Sequence, residues 1–384
     1  MPKITSVNVF GFDIKLEEPF KISFKTFTHV RNLLIVIKTD DGIIGYGEAA
    51  PFKAITGDSR KDAIRFSYLA IGKLLGADPT NLKMIHEILE EVEKLTNIHS
   101  QTIKAAIDMA CYDICGKMEN KPVYKLLGAE KPNCIPNTLT IGIRSVQETV
   151  ETAKRYLEIF REDGLKRIKL KLSGNPTKDY ERVIAVAKFF DGELTLDANQ
   201  AYTNPDIAVN VFRKLYEELG DRIILIEEPC PKGELDKMKY VKEKVEIPIF
   251  ADESAATYRD AIKIAEHAAA DGVNIKLQKA GGIYWGLKIA KVAHDYKLKL
   301  MVGCMLESGL SIAAGVHFAS AIRDVINTDL DADLTLPRDI IDESSRMLFE
   351  NGARIPRENP GLGVKLNPWV MDFVENNFFI NKVW

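Results

Sequence analysis

The amino-acid sequence predicts an α/β protein, a (β/α)8 TIM-type barrel preceded by a smaller α+β domain. Three observations predict it. From about residue 135, short apolar strands alternate with helical stretches of roughly 10–15 residues until eight strands have passed. Charged residues recur at the ends of successive strands, one βα unit apart. The first 128 residues follow another grammar, strands first and helices after. A doubly wound sheet is the competing arrangement, but no GxGxxG follows any strand.

In the first domain, residues 1–128, Val7, Val9 and Phe10 open a strand. Leu33 to Lys38 runs into Asp40-Asp41-Gly42 as a strand entering a hairpin turn, and Ile43 to Gly47 returns. From Asp62 to Leu127, apolar residues at three- and four-residue spacing predict helices. The barrel, residues 129–340, takes its strands from Asn137–Ile141, Arg167–Leu172, Leu194–Asn199, Ile223–Glu228, Ile247–Glu253, Gly272–Leu277, Lys299–Met305 and Asp324–Asp331. Among the intervening helices, Ile283 to Tyr296 aligns Trp285, Ile289, Val292 and Tyr296 on one face. Residues 341–384 carry no further βα unit, and Arg354 to Trp384 is expected to fold back on the first domain.

Composition bounds the function. The 384 residues are 46% hydrophobic and 28% charged, the balance of a soluble globular protein with core enough to need no staples. Lys plus Arg number 52 against 55 Asp plus Glu, a net charge of −3, which speaks against a nucleic-acid partner. The longest aliphatic block, Leu33 to Ile37, is far short of the ~20 residues that span a bilayer, so no membrane association is expected. Met1 to Val7 lacks a signal-peptide pattern. The five cysteines form no CxxC pair, so neither a disulfide scaffold nor a thiolate zinc site is indicated. A cytoplasmic protein, with any metal bound through oxygen, is the expectation.

The polar residues inside apolar strands carry the chemistry. In Ile168-Lys169-Leu170-Lys171-Leu172, period-2 alternation sends both lysines to one face. The outer face of a barrel strand packs on helices, so the lysines point inward, at a cost only function or partners offset. The same anomaly recurs at Asp197 and Asn199, Glu227, Asp252, Lys276, and Asp329 with Asp331. From Lys171 to Asp197 is 26 residues, then 30 to Glu227, 25 to Asp252 and 24 to Lys276. Each charge therefore sits at the C-terminal end of a successive strand, where this fold places active sites. Blander readings exist for each residue. Asp197 or Asp252 could cap a helix, Glu227 could belong to a loop, and the lysines could face solvent. Separately those readings compete well; they do not account for the shared register.

Three convergent carboxylates without histidine suit a hard divalent cation, Mg²⁺ first and Mn²⁺ second. Lysines beside such an ion are poor ligands while charged, and proton transfer is their natural role. An ordinary lysine, with a pKa of about 10.4, is a weak base. Lys169 beside Lys171, together with a nearby cation, is expected to lower that value. Removing a proton α to a carboxylate builds negative charge that a divalent cation stabilises. A lysine on each face of the carbon allows removal from one side and return from the other, which inverts the centre.

These residues resemble the enolase superfamily, in its muconate-lactonizing-enzyme subgroup, whose sites use a Lys base with Mg²⁺. The matching segments are Lys169-x-Lys171, Leu196-Asp197-Ala198-Asn199, Ile226-Glu227-Glu228-Pro229, Ala251-Asp252-Glu253-Ser254 and Lys276-Leu277-Gln278-Lys279-Ala280-Gly281-Gly282. Gly47-Glu48-Ala49-Ala50-Pro51 and Pro360-Gly361-Leu362-Gly363 match as well, so the resemblance spans the chain. It implies an enolase-like, modified barrel under an N-terminal capping domain whose loops set specificity.

Within the subgroup the chain looks most like the dipeptide epimerases, relatives of L-Ala-D/L-Glu epimerase. Ile55-Thr56-Gly57-Asp58 resembles a capping loop that approaches substrate, and Gly303-Cys304-Met305-Leu306-Glu307-Ser308 resembles the seventh-strand segment. Asp329-Leu330-Asp331 resembles the DxD element that binds a dipeptide's α-ammonium, with Asp331-x-Asp333 as the alternative register. The resemblance implies Asp197, Glu227 and Asp252 as Mg²⁺ ligands and Lys171 and Lys276 as acid/base catalysts. Lys169 would tune Lys171 and contact the substrate carboxylate, with Thr140, Thr56, Cys304, Met305, Asp329 and Asp331 around the substrate. Lys279 would be structural, and Glu228 and Glu253 would support the ligands.

Lys25, in Ser23-Phe24-Lys25-Thr26, lies on a loop that in relatives folds over the barrel mouth. It could pair with the acidic side chain of a substrate such as L-Ala-L-Glu, or merely face solvent. The implied reaction is Mg²⁺-dependent epimerisation of the second residue of an L,L-dipeptide, by a homo-oligomer. An N-acylamino-acid racemase, an o-succinylbenzoate synthase or a muconate-type cycloisomerase on the same scaffold are the alternatives, and a non-catalytic binding protein is a more distant one.

Overall fold

The computed structural model describes residues 1–376; Trp384 and the rest of 377–384 lie outside the described residues. Three antiparallel strands come first: β1 (Ile4–Ile22), β2 (Lys25–Thr39) and β3 (Ile44–Ala49), paired in that order. The continuous Leu33–Ile37 run is explained by burial of both sheet faces. Leu33, Ile35 and Ile37 face one cluster with Val7 and Val9, while Leu34 and Val36 face another with Phe10 and Phe12. The helices are α1 (Lys53–Thr56), α2 (Arg60–Leu74), α3 (Leu82–Thr96), α4 (Gln101–Glu119) and α5 (Val123–Leu126). Helix α4 lies directly on β3, and glycine is required there: a Cβ on Gly47 would sit 1.9 Å from the Ala106 carbonyl oxygen.

The barrel strands are β4 (Thr138–Ile141), β5 (Arg167–Lys171), β6 (Glu193–Asp197), β7 (Ile223–Glu227), β8 (Ile249–Ala251), β9 (Gly272–Ile275), β10 (Lys299–Gly303) and β11 (Val325–Asp329). They run parallel in sequential order, and a bridge from Asn137 to Thr328 draws β11 back to β4. The helices between them are α6 (Val146–Ile159), α7 (Pro176–Ala187), α8 (Pro205–Leu219), α9 (Leu235–Lys244), α10 (Tyr258–Glu266), α11 (Leu277–Ala280), α12 (Ile283–Asp295) and α13 (Gly309–Ala321). Their starts are written locally. Ser145 with Glu148 and Thr257 with Asp260 form capping boxes, and Asn175 and Asn204 cap α7 and α8 ahead of a proline.

Seven of the eight strands, all but β4, end before the spans their sequences suggest, so the charged residues sit at or just beyond the strand ends. Asp331 is two residues past β11 and begins a 3₁₀ turn, Ala332–Thr335. Asp333 forms a bidentate pair with Arg354, at 2.8 and 3.1 Å, and does not line the cavity that Asp329 and Asp331 line. Helix α12 also differs: its buried face is Ile283, Gly286, Ile289, Ala290 and Ala293, while Tyr296 lies past its end and is exposed. Trp285 instead reaches the first domain, its Nε1 donating to His86 Nδ1 at 3.0 Å.

After the barrel come β12 (Leu348–Glu350), β13 (Ala353–Ile355) and α14 (Pro368–Asn376). This segment touches the first domain through Leu362 N–H donating to Asp113 (2.9 Å), a Pro122–Gly361 bridge and the Phe10–Phe373 ring pair. No helix among the described residues is long and apolar enough to cross a membrane.

Candidate active site

Strand alternation stacks inward side chains in layers. Leu225, Phe250 and Met301 form a buried apolar plug inside the barrel. Above it, β5 to β9 deliver Lys171, Asp197, Glu227, Asp252 and Lys276, the last two immediately after their strands. All five are buried. One oxygen from each of Asp197, Glu227 and Asp252 falls within 4.8 Å of the others.

The donor set fits a hard divalent cation: three fully buried carboxylates, oxygen only, with Glu227 Oε1 lacking a well-formed hydrogen bond. Supporting groups hold each ligand in place. Asn274 donates to Glu227 Oε2 at 2.8 Å, and Asn199 N–H to Asp197 Oδ1 at 2.8 Å. Glu228 accepts Asp252 N–H (2.7 Å) and the Ser254 hydroxyl (2.5 Å). Asn199, Gln200 and Glu228 adopt left-handed backbone (φ 40, 69 and 36°), strain that concentrates beside the ligands and orients these supports.

The lysines are held by the same acids. Lys171 Nζ lies 2.5 Å from Asp197 Oδ2, Lys276 Nζ 2.7 Å from Asp252 Oδ2, and Lys279 Nζ 2.5 Å from Asp252 Oδ1. Lys169 is fully buried, with Nζ 2.5 Å from Asp329, 2.8 Å from Glu227 and 3.1 Å from Asp197. Burial alone would lower the Lys169 pKa, but those three carboxylates outweigh it and hold the ammonium charged well above the ordinary range. Burial opposes charge at Lys276 too, and Asp252 overrides it upward. Ion pairing with the carboxylates therefore sets the charge of these two lysines. Glu253 is pushed up to about 8 by burial, then by Asp252 and Glu228.

A cavity of about 280 Å³ opens above this floor. Lys171, Lys276, Thr140, Cys304, Met305, Asp329 and Asp331 line it, as do Asn199 and Glu253. Thr140 ties the far end together, its Oγ1 donating to Asp329 (2.9 Å) and its N–H to Asp331 (2.6 Å). No Lys, Arg or His lies within 4 Å of the Asp331 carboxylate among the described residues, whereas Asp329 has Lys169.

Three expected substrate contacts are placed elsewhere. Lys169 lies beneath the cavity, spent on three acids. Lys25 is exposed at the start of β2 and does not line the cavity, because the hairpin turns its side chain outward. Thr56 is buried in its own turn, bonded to Asp58 at 2.6 Å, while its neighbours Phe52 and Ile55 form the wall.

Sequence reasoning marked the segments that hold Ile55 and Leu306 but missed Phe20, Phe27 and Phe52 of that wall, and the Arg144–Glu18–Arg155 cluster beside it. Apolar wall residues are indistinguishable by pattern from core. The adjacent Glu17-Glu18, breaking an alternating strand, was the one available signal.

Comparison with known proteins agrees with this geometry. Residues 4–128 match the mandelate racemase / muconate lactonizing enzyme N-terminal domain, and residues 148–370 match the enolase C-terminal domain-like family. The chain is 34% identical over 334 residues to a hydrophobic dipeptide epimerase from Enterococcus faecalis, covering 86% of this chain and 90% of that one. It is 31% identical over 368 residues to an N-succinyl-L-Arg/Lys racemase from Bacillus cereus, covering 95% and 96%. A crystal structure of an Enterococcus faecalis dipeptide epimerase complexed with Mg and L-Leu-L-Tyr superposes with a TM-score of 0.86 at 33% identity, covering 94% and 99%. The chain belongs to the mandelate racemase/muconate lactonizing enzyme family of the enolase superfamily, as an isomerase of the racemase/epimerase kind.

Proposed function

We propose that this protein is a Mg²⁺-dependent dipeptide epimerase that inverts the α-carbon of the second residue of an L,L-dipeptide. The observation that carries the reading is Asp331: a buried carboxylate facing the cavity beside Asp329, with no cation of its own among the described residues. A substrate α-ammonium supplies the missing charge. An N-acylated substrate has none, and the carboxylate of an N-succinyl group would meet two acids there.

Asp197, Glu227 and Asp252 would hold the metal, which supplies positive charge against the charge that develops on the substrate carboxylate. Lys171 and Lys276 stand four strands apart around an eight-stranded barrel, so they face the cavity from opposite sides. One removes the α-proton and the other delivers a proton to the opposite face. Lys169 neutralises Asp329, Glu227 and Asp197 from below, and Thr140 fixes the two aspartates that receive the ammonium.

The test is α-proton exchange in D₂O with Mg²⁺, comparing L,L-dipeptides with N-succinyl-L-amino acids by mass spectrometry. Dipeptides should exchange and epimerise, and Asp331→Asn should remove that activity. Exchange confined to N-succinyl substrates, unaffected by Asp331→Asn, overturns the assignment in favour of the racemase reading.

A further inference from the structure

The capping side of the cavity speaks to which dipeptides enter, an inference that rests on the epimerase reading. If the substrate carboxylate is directed to the acids after β6 to β8 and its ammonium to Asp329 and Asp331, both ends lie on the barrel floor. The α-carbon then sits between Lys171 and Lys276, and the side chain of that residue has one direction left, towards the capping domain.

What it meets there is apolar. Ile55 comes from α1, which packs on α11 directly after Lys276. Phe52 precedes it, with Phe27 edge-on at 5.0 Å between ring centroids and Phe24 stacked at 6.1 Å. Phe20 and Ile22 complete the wall from β1.

The wall is held down on the barrel. Ile143 N–H donates to the Lys21 carbonyl at 2.8 Å, and the Ser23 hydroxyl to the Asn199 carbonyl at 2.6 Å. A Cβ on Gly142 would lie 3.0 Å from the Lys21 oxygen, so the hairpin sits directly on the barrel loop.

Among the described residues, no free cation lines this wall. Besides Lys171 and Lys276, the basic side chains lining the cavity among the described residues are Arg144 and Arg155. Both are paired with Glu18, at 2.6 and 3.2 Å. They also stand on the amino-terminal side, where Tyr156, next to Arg155 on α6, donates to the Thr140 carbonyl at 3.1 Å.

We infer that the subsite for the epimerised residue selects apolar side chains, aromatic ones included, and rejects glutamate. A glutamate side chain would surrender its hydration against Phe27, Phe52 and Ile55 with no counter-ion in reach. A branched or aromatic side chain gains from the same burial.

The experiment measures kcat/KM for α-proton exchange in D₂O with Mg²⁺ on L-Ala-L-Leu, L-Ala-L-Phe and L-Ala-L-Glu. The apolar dipeptides should exceed L-Ala-L-Glu by on the order of 100-fold. Equal or faster exchange of L-Ala-L-Glu overturns the apolar subsite while leaving the epimerase reading standing. Silence with all three, alongside exchange of N-succinyl amino acids, removes the epimerase reading and this inference with it. Phe52→Arg, which sets a cation in the wall, should raise the Glu-to-Leu ratio about tenfold whatever it does to the overall rate. An unchanged ratio in a variant that still exchanges L-Ala-L-Leu counts against the subsite.

Discussion

Replacing Lys169 with methionine tests the electrostatic design of the site. Methionine keeps most of the volume and removes the charge, so the effect isolates the ion pairs that Lys169 makes with Asp329, Glu227 and Asp197. Breaking a buried pair by deleting one partner costs about 3–5 kcal/mol, because the remaining charge stays buried without compensation. Here Asp197 keeps Lys171 at 2.5 Å, Glu227 keeps Asn274 at 2.8 Å, and Asp329 keeps Thr140 at 2.9 Å. Those remaining contacts place the loss near the lower end, about 3 kcal/mol. For a barrel of this size, that lowers Tm by roughly 6–12 °C. The assay is thermal unfolding in EDTA and again in excess Mg²⁺. A cation bound by Asp197, Glu227 and Asp252 returns positive charge to two of the three orphaned acids, so Mg²⁺ should raise Tm more in the variant than in the wild type. A variant melting within about 2 °C of wild type in EDTA, with no larger response to Mg²⁺, would refute the charge-balance argument.

Three further expectations follow from the same geometry. Lys171→Ala and Lys276→Ala should each lower epimerisation by about 10³-fold, while each variant still exchanges only the stereoisomer whose α-proton faces the remaining lysine; full epimerisation by either sinks the two-base assignment. Gly303→Ala puts a methyl 2.9 Å from the Asn274 amide and 3.1 Å from Lys276 Cε, so kcat should fall by on the order of 100-fold with a smaller change in KM, and unchanged kinetics would show that Lys276 has room to spare. His317 is buried between the Tyr124 N–H (3.3 Å) and the Leu362 carbonyl (3.2 Å), and burial lowers its pKa from 6.5 to about 4. Between those two pH values the unfolded chain takes up a proton that the folded one refuses, so stability is complete above pH 6.5 and is lost as pH falls towards 4. The contribution is about 3 kcal/mol, and chemical denaturation at pH 7 and pH 4 should show that increment in wild type but not in His317→Gln.

The barrel floor was legible because strand alternation is a strong rule and a charge in an apolar strand violates it visibly. Lys169, Lys171, Asp197, Glu227, Asp252 and Lys276 were all found that way, and the structure brings them together. Asp331 was found by extending a strand that in fact ends at Asp329; its placement comes from the 3₁₀ turn and from Thr140, neither of which alternation describes. The capping contacts were harder to read for a different reason. Lys25 and Thr56 were singled out as polar residues on approaching loops, yet Phe52 and Ile55 beside Thr56 reach the cavity. An apolar residue in a specificity wall obeys the same burial pattern as one in the core, so nothing local separates the two.

The cap and the floor are nevertheless one device, and a buried carboxylate joins them. Glu48, at the end of β3, accepts from Asn32 on β2 (2.7 Å) and from both the backbone N–H (3.0 Å) and hydroxyl (2.5 Å) of Ser308 on the barrel. Asn32 also donates to the Leu306 carbonyl at 2.8 Å, and Leu306 and Met305 line the cavity. Gln278, two residues after Lys276, accepts from Ala50 N–H (3.0 Å) and donates to the Glu48 carbonyl (2.9 Å). Burial pushes the Glu48 carboxyl up to about 8, although Ser308 and Asn32 pull it down. Such a group is kept at a domain boundary at a cost in stability, and in return it fixes the direction of every element it bonds. The segment that Glu48 anchors, residues 304–308, carries one wall of the substrate cavity, and the Gln278 contact ties the capping strand to the helix that follows Lys276. The apolar wall of the cavity is therefore held in register with Lys276 by hydrogen bonds among residues that do not themselves line the cavity. A capping loop can change its side chains, and with them its specificity, without disturbing the floor, provided Glu48 and Gln278 keep their partners.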